Sequence, residues 1–188
     1  MANLKTLTAF ISGPLDPSSS YFSTYYAPSI NTAISLNHSF IIGPVRGTDA
    51  LALQYLLSQS VPPSQITIYM ANFEYANITW RTGFTSLGVN VKCVEEAITT
   101  RERDAAMTRD SDYDILRYRT EQEAKELYGS VWWPRVSNTE MNERRRKGIS
   151  SQAYKLDEDE EEVKDESNGG KDVRDVNKSR LGKLFGRR

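Results

Sequence analysis

A chain of 188 residues suits one domain with appendages, since single domains cluster near ~100–150 residues. A formal net charge of −1 gives no overall pull toward nucleic acid or a charged membrane. The lone cysteine, Cys93, excludes an intramolecular disulfide framework and a cysteine-based metal cluster.

Along the chain, residues 7–12 read as a first strand, ended by Gly13-Pro14. Residues 21–36 have helical spacing through Phe22, Tyr26, Ile30 and Ile34, with a start or a bend near Pro28. A strand at 39–42 and a helix at 49–59 follow, the helix placing Ala50, Leu53, Leu56 and Leu57 on one face. Pro62-Pro63 forces a turn, and Ile66, Ile68 and Met70 alternate with polar residues in a third strand. A short helix at 76–86, a strand at 89–94 and a charged helix from Thr99 or Thr100 through Met107 come next. A fifth strand at 113–118 leads to a final core helix at 121–128, ended by Gly129. Strands alternating with helices predict an α/β three-layer sandwich around a mainly parallel, Rossmann-like sheet of about five strands. That domain occupies residues 1–130, followed by an arm with tryptophans and arginines at 131–150. The arm's Trp132-Trp133 pin it to the domain, and His38 serves a turn at the wrong sheet edge for chemistry.

Beyond residue 150 the composition changes. Asp157-Glu-Asp-Glu-Glu-Glu162 is followed by a basic end at 171–188. Blocks of like charge with few apolar residues bury too little surface to offset chain entropy, so a disordered tail is expected at 151–188. Its basic-apolar end is a candidate contact for a protein or an anionic surface. The N-terminus offers too short an apolar run for a signal peptide, and no run spans a bilayer. An intracellular protein, cytoplasmic or nuclear, is expected.

Gly43-Pro-Val-Arg-Gly-Thr-Asp49 joins a buried strand to a helix. Glycines there let a ligand approach the backbone, and free amides at the helix start favour anions. Asp49 as N-cap would occupy the same donors and repel phosphate. A sugar hydroxyl or base edge is then expected at Asp49, with Arg46 taking the charge. The plain alternative is a capped helix with a surface arginine.

Gly43-x-x-x-Gly47-x-Asp49-x-x-Ala52 resembles the signature of the SLOG superfamily, which gathers DNA-processing protein A, the Lonely Guy phosphoribohydrolases and related Rossmann-like binders of nucleotide ligands. Arg103-Asp-Ala-Ala-Met-Thr-Arg-Asp-Ser-Asp-Tyr-Asp-Ile115 is similar to a second block of that superfamily. Ser12-Gly13-Pro14 resembles the opening loop of the nucleoside deoxyribosyltransferases. The resemblance covers roughly residues 5–130 and implies a site for a nucleotide-derived small molecule. Its ligand-binding residues would be Ser12, Gly13, Pro14 and Asp16 on one loop and Gly43, Pro44, Arg46, Gly47, Thr48 and Asp49 on the other. The two loops are expected to face one another across a concave site. Hydrolytic members carry a Gly-rich loop after a later strand, whereas Arg119-Thr-Glu-Gln-Glu-Ala124 contains no glycine and Leu51 stands where a glutamate would be.

Three readings follow. The leading one is a binding module, a candidate sensor, for a nucleotide-derived small molecule, without turnover. The second is an N-glycosidic hydrolase or deoxyribosyltransferase-like enzyme with Glu74 as the reactive carboxylate. The third is a scaffold that acts through its charged tail. No metal or cofactor is expected; a homodimer is a plausible assembly.

Overall fold

The computed structural model describes residues 6–149; the expected charged tail at 151–188 lies outside them. Five strands form one parallel sheet: β1 (Thr8–Ser12), β2 (Ser39–Ile42), β3 (Ile66–Ala71), β4 (Asn90–Val94) and β5 (Tyr113–Leu116). Their order is β4-β3-β2-β1-β5. Ala9 lies opposite Phe40 on one side and Tyr113 on the other. The α/β sandwich expected from the sequence is therefore present.

Residues 21–36 become two helices rather than one. α1 (Ser19–Tyr25) is capped by Ser18, and α2 (Ala27–Ser35) holds Pro28 in its first turn, where the missing N–H has no partner to lose. α3 (Thr48–Ser58) follows β2. α4 (Asn72–Tyr75) is a single turn after β3, and α5 (Ile78–Ser86) starts at the side-chain cap Asn77. α6 (Thr100–Arg109) and α7 (Glu121–Tyr128) each open with a capping box, Thr99 with Glu102 and Thr120 with Glu123. α8 (Asn138–Arg146) is capped by Ser137.

Strand alternation divides the core. Ala9, Ile11, Phe40, Ile42, Ile66, Ile68 and Met70 pack with Phe22, Tyr26, Ile30, Leu53 and Leu56 of α1–α3. Phe10, Ile41, Tyr69, Ala71 and Val94 pack with Ala106 and Met107 of α6 on the opposite face. Each fully buried Val, Leu, Ile, Phe or Met side chain among them contributes roughly 1.5–3 kcal/mol before entropy is counted.

α7 is not the core helix its pattern suggested: none of its residues is buried. α8, within the expected arm, buries Thr139, Met141 and Asn142. Trp132 is half-buried with the Lys125 ammonium 4.6 Å from its ring centre, and Trp133 is exposed. No helix among the described residues is long and apolar enough to cross a membrane.

Candidate functional site

The topology picks out one place. Strands β1 to β4 step in one direction along the sheet, and the chain then returns past them to lay β5 against the free side of β1. Right-handed crossovers send helices to opposite faces for steps in opposite directions. The connection after β1 leads to α1 on one face, while β5 leads by a long excursion to α8, which packs with α6 on the other. The carboxyl ends of β1 and β5 thus flank the topological switch point, where parallel α/β sheets open a crevice.

Buried polar groups gather at this edge, on the α6 and α8 face. Arg103 of α6 donates from Nη1 to Glu74 Oε1 (2.5 Å) and from Nε and Nη2 to Asp104 Oδ1 (3.1 and 2.9 Å). Asn142 of α8, only 1 % exposed, donates from Nδ2 to Ser12 Oγ at 3.0 Å and lies 3.4 Å from Asp104 Oδ2. Its Oδ1 accepts from Arg145 Nη1 at 2.8 Å. Burial opposes the Arg103 charge, but Asp104 and Glu74 outweigh it and hold the guanidinium above the usual arginine range. Burial pushes Asp49 up to about 8; Asp104 and Glu74 add to the rise, while Arg103 and the Val45 backbone oppose it. Asp49 is therefore largely a neutral acid at pH 7, able to donate as well as accept a hydrogen bond.

Glu74 is not a loop carboxylate waiting for a sugar. It is 2 % exposed, its Oε2 accepts the Ala71 N–H at 2.8 Å, and its Oε1 is taken by Arg103. Attack on an anomeric carbon would require it to leave both partners.

The loops at 12–16 and 43–49 do not face one another across a gap; they touch. Thr48 donates from its backbone N–H and from Oγ1 to the Pro14 carbonyl, each at 3.0 Å. Gly47 has φ +90°, and a Cβ there would lie 2.5 Å from Leu15 Cα. The Leu15 backbone, not a ligand, occupies the room that this glycine leaves. Gly47 is also the N-cap of α3, which moves Asp49 from the cap into the first turn. Gly43 admits the Asp49 carboxylate and sits beside Arg103. Gly13 leaves room for the Tyr26 hydroxyl and Thr48 Oγ1. Pro44 is buried, Pro14 half-buried and Arg46 exposed, with no ion pair for Arg46 among the described residues. Asp16 is bound by Arg119 (Nη1 to Oδ1, 2.6 Å) and by the Tyr128 hydroxyl (3.1 Å to Oδ2).

The structure thus joins Ser12, Gly43 and Asp49 of the expected set to Glu74, and separates them from Arg46 and Asp16. It adds Arg103, Asp104 and Asn142. The first two lay within the block that carries the SLOG resemblance. Asn142 had no apolar or glycine signal to mark it. Tyr26 closes the junction from the other face: its hydroxyl lies 3.0 Å from the Ser12 carbonyl and 2.9 Å from the Arg117 carbonyl, and accepts the Arg117 N–H at 3.1 Å. Among the described residues, no group of three or more His, Cys, Asp or Glu is placed to hold a metal ion. Comparison of the chain with family models, with curated proteins and with solved structures finds no match.

Proposed function

We propose that the carboxyl edge of this sheet binds a nucleotide-derived small molecule, as the resemblance to the SLOG superfamily implies, without turning it over, since residues 119–124 lack the Gly-rich loop of the hydrolytic members. The observation that carries the reading is the convergence of Ser12, Asp49, Glu74, Arg103, Asp104 and Asn142 beside the switch point. Buried charges cost several kcal/mol each in desolvation and seldom repay it as stability. Their concentration at one carboxyl sheet edge makes that edge the candidate site. Neutral Asp49, the Asp104 carboxylate and the Ser12–Asn142 pair offer donors and acceptors suited to ribose hydroxyls or a base edge. The engagement of both Glu74 oxygens favours binding over glycosidic chemistry.

A thermal-shift screen with nucleosides, nucleotides, NAD and ADP-ribose tests this. A true ligand at about 100 times its Kd adds ~2.7 kcal/mol of stability, several degrees for a domain of this size. Ser12→Ala should keep the unliganded melting temperature within a few degrees and remove most of the ligand-induced rise. Absence of a shift with every compound class would reject a nucleotide-derived ligand.

A further inference from the structure

The chain between β5 and α8 departs from the rest of the fold. Ile115 and Val136 are buried, yet none of residues 116–135 is. Within this stretch the contacts are local: the Thr120–Glu123 capping box, Arg117 Nη2 to Glu123 Oε1, and Lys125 over Trp132. It is therefore held together as a unit but not by a core of its own.

Polar contacts attach it to the rest of the domain. At one end the Arg117 backbone is fixed on both sides by the Tyr26 hydroxyl, and the Arg117 guanidinium lies 3.8 Å from the Tyr25 ring centre and donates to the Tyr21 hydroxyl at 2.6 Å. Next to it the Tyr118 hydroxyl meets Glu143 of α8 at 3.1 Å. In the middle, Arg119 takes Asp16 at both its carboxylate and its carbonyl (2.6 and 2.9 Å), and Tyr128 reaches the same carboxylate. Asp16 belongs to the loop that follows β1, on the far side of the switch point from β5. The excursion therefore bridges the carboxyl ends of the two strands that flank the switch point. Its middle is held by Asp16, through carboxylate and carbonyl, and by the Arg119 guanidinium 5.4 Å from the Tyr21 ring centre.

We propose that residues 117–135 form a lid across the carboxyl ends of β1 and β5, latched shut by Asp16 to Arg119 and Tyr128 and hinged at Arg117 and Val136. A segment with no fully buried residue, tied to the domain by part-buried and exposed polar contacts, opens locally without unfolding the domain. Opening would release the loop after β1 from the segment that follows β5. That the lid admits a ligand rests on the function proposed above; that it opens does not.

Hydrogen exchange on the full chain, with no ligand added, tests the opening by itself. In Asp16→Ala and Arg119→Ala, amides of residues 121–131 should exchange at least tenfold faster than in the parent chain. Amides of β1 and β3 should lose no more than the same factor, and in the parent chain and both variants they should stay far better protected than 121–131. Tryptic cleavage after Lys125 should accelerate in parallel. Exchange of 121–131 no faster than in the parent, or protection of 121–131 as high as that of β1 and β3 in the parent chain, overturns the lid. If the screen yields a binding compound, its association should be faster in Arg119→Ala. A chain that opens in the exchange experiment yet binds no screened compound keeps the lid and rejects the ligand class.

Discussion

Asp49 shows how one side chain can carry both a cost and a measurable signature. The folded chain holds its proton up to about pH 8, against an ordinary carboxyl value of 3.8. Between those values the unfolded chain has released a proton that the folded chain keeps. Stability therefore falls as pH rises through this window and levels off above about 8, where both states are ionised. Asp49→Asn removes that contribution while keeping size and an acceptor for the Val45 backbone. Urea midpoints at pH 5 and pH 8 should show the variant gaining on the parent as pH rises. An identical pH dependence in the two proteins would mean that Asp49 is already ionised in the fold. Around it, the three site glycines teach a narrower lesson. Their presence in the sequence marked close approach, and close approach is what the structure contains. The approaching groups are Leu15, Tyr26, Thr48, Asp49 and Arg103 of the chain itself. Composition reports that a Cβ is excluded at a position, not what excludes it.

α7 and α8 exchange the roles their sequences suggest. Glu121–Tyr128 has the cleaner apolar face and full capping signals, yet it buries nothing because the lid has no second layer against it. Asn138–Arg146 reads as a charged arm, since its buried face is built from Thr139, Met141 and Asn142. Hydrophobic periodicity detects a face that seeks apolar contact; it is blind to a face buried through hydrogen bonds. Asn142 is satisfied by Ser12, Asp104 and Arg145, and Arg146 by Ser111 and Asp114. The two helices should answer mutation in opposite ways. Met141→Ala should destabilise by ~2–5 kcal/mol, the cost of removing a buried large side chain. Leu127→Ala, at a half-exposed position of α7, should stay within ~0.5 kcal/mol. Denaturant unfolding of the two variants measures both. Comparable losses would show that α7 belongs to the core after all.

At the scale of the molecule, the strands and the parallel sheet were legible because each short apolar run sits between turn residues and each is followed by a helix. The order β4-β3-β2-β1-β5 was not. It depends on where the fifth strand finds an open edge, and no local pattern encodes that. The switch point, and with it the candidate site, appears only once the order is known. The same order has an energetic consequence. Every central strand offers alternate side chains to both faces, so β1 sends Ile11 to the α1–α3 side and Phe10 to the α6 side. Neither helical layer can lose its packing without exposing the shared sheet, so the domain should unfold in one transition. Ile30→Ala weakens the first face and Met107→Ala the second. Each should lower the protection of the slowest-exchanging amides in β1, β2 and β3 by the same free energy that it removes from global stability. If instead Met107→Ala releases α6 and α8 at a lower denaturant concentration while β1–β3 and α1–α3 stay protected, the two faces are separate cooperative units. The shared sheet would then couple them less tightly than its alternating side chains require.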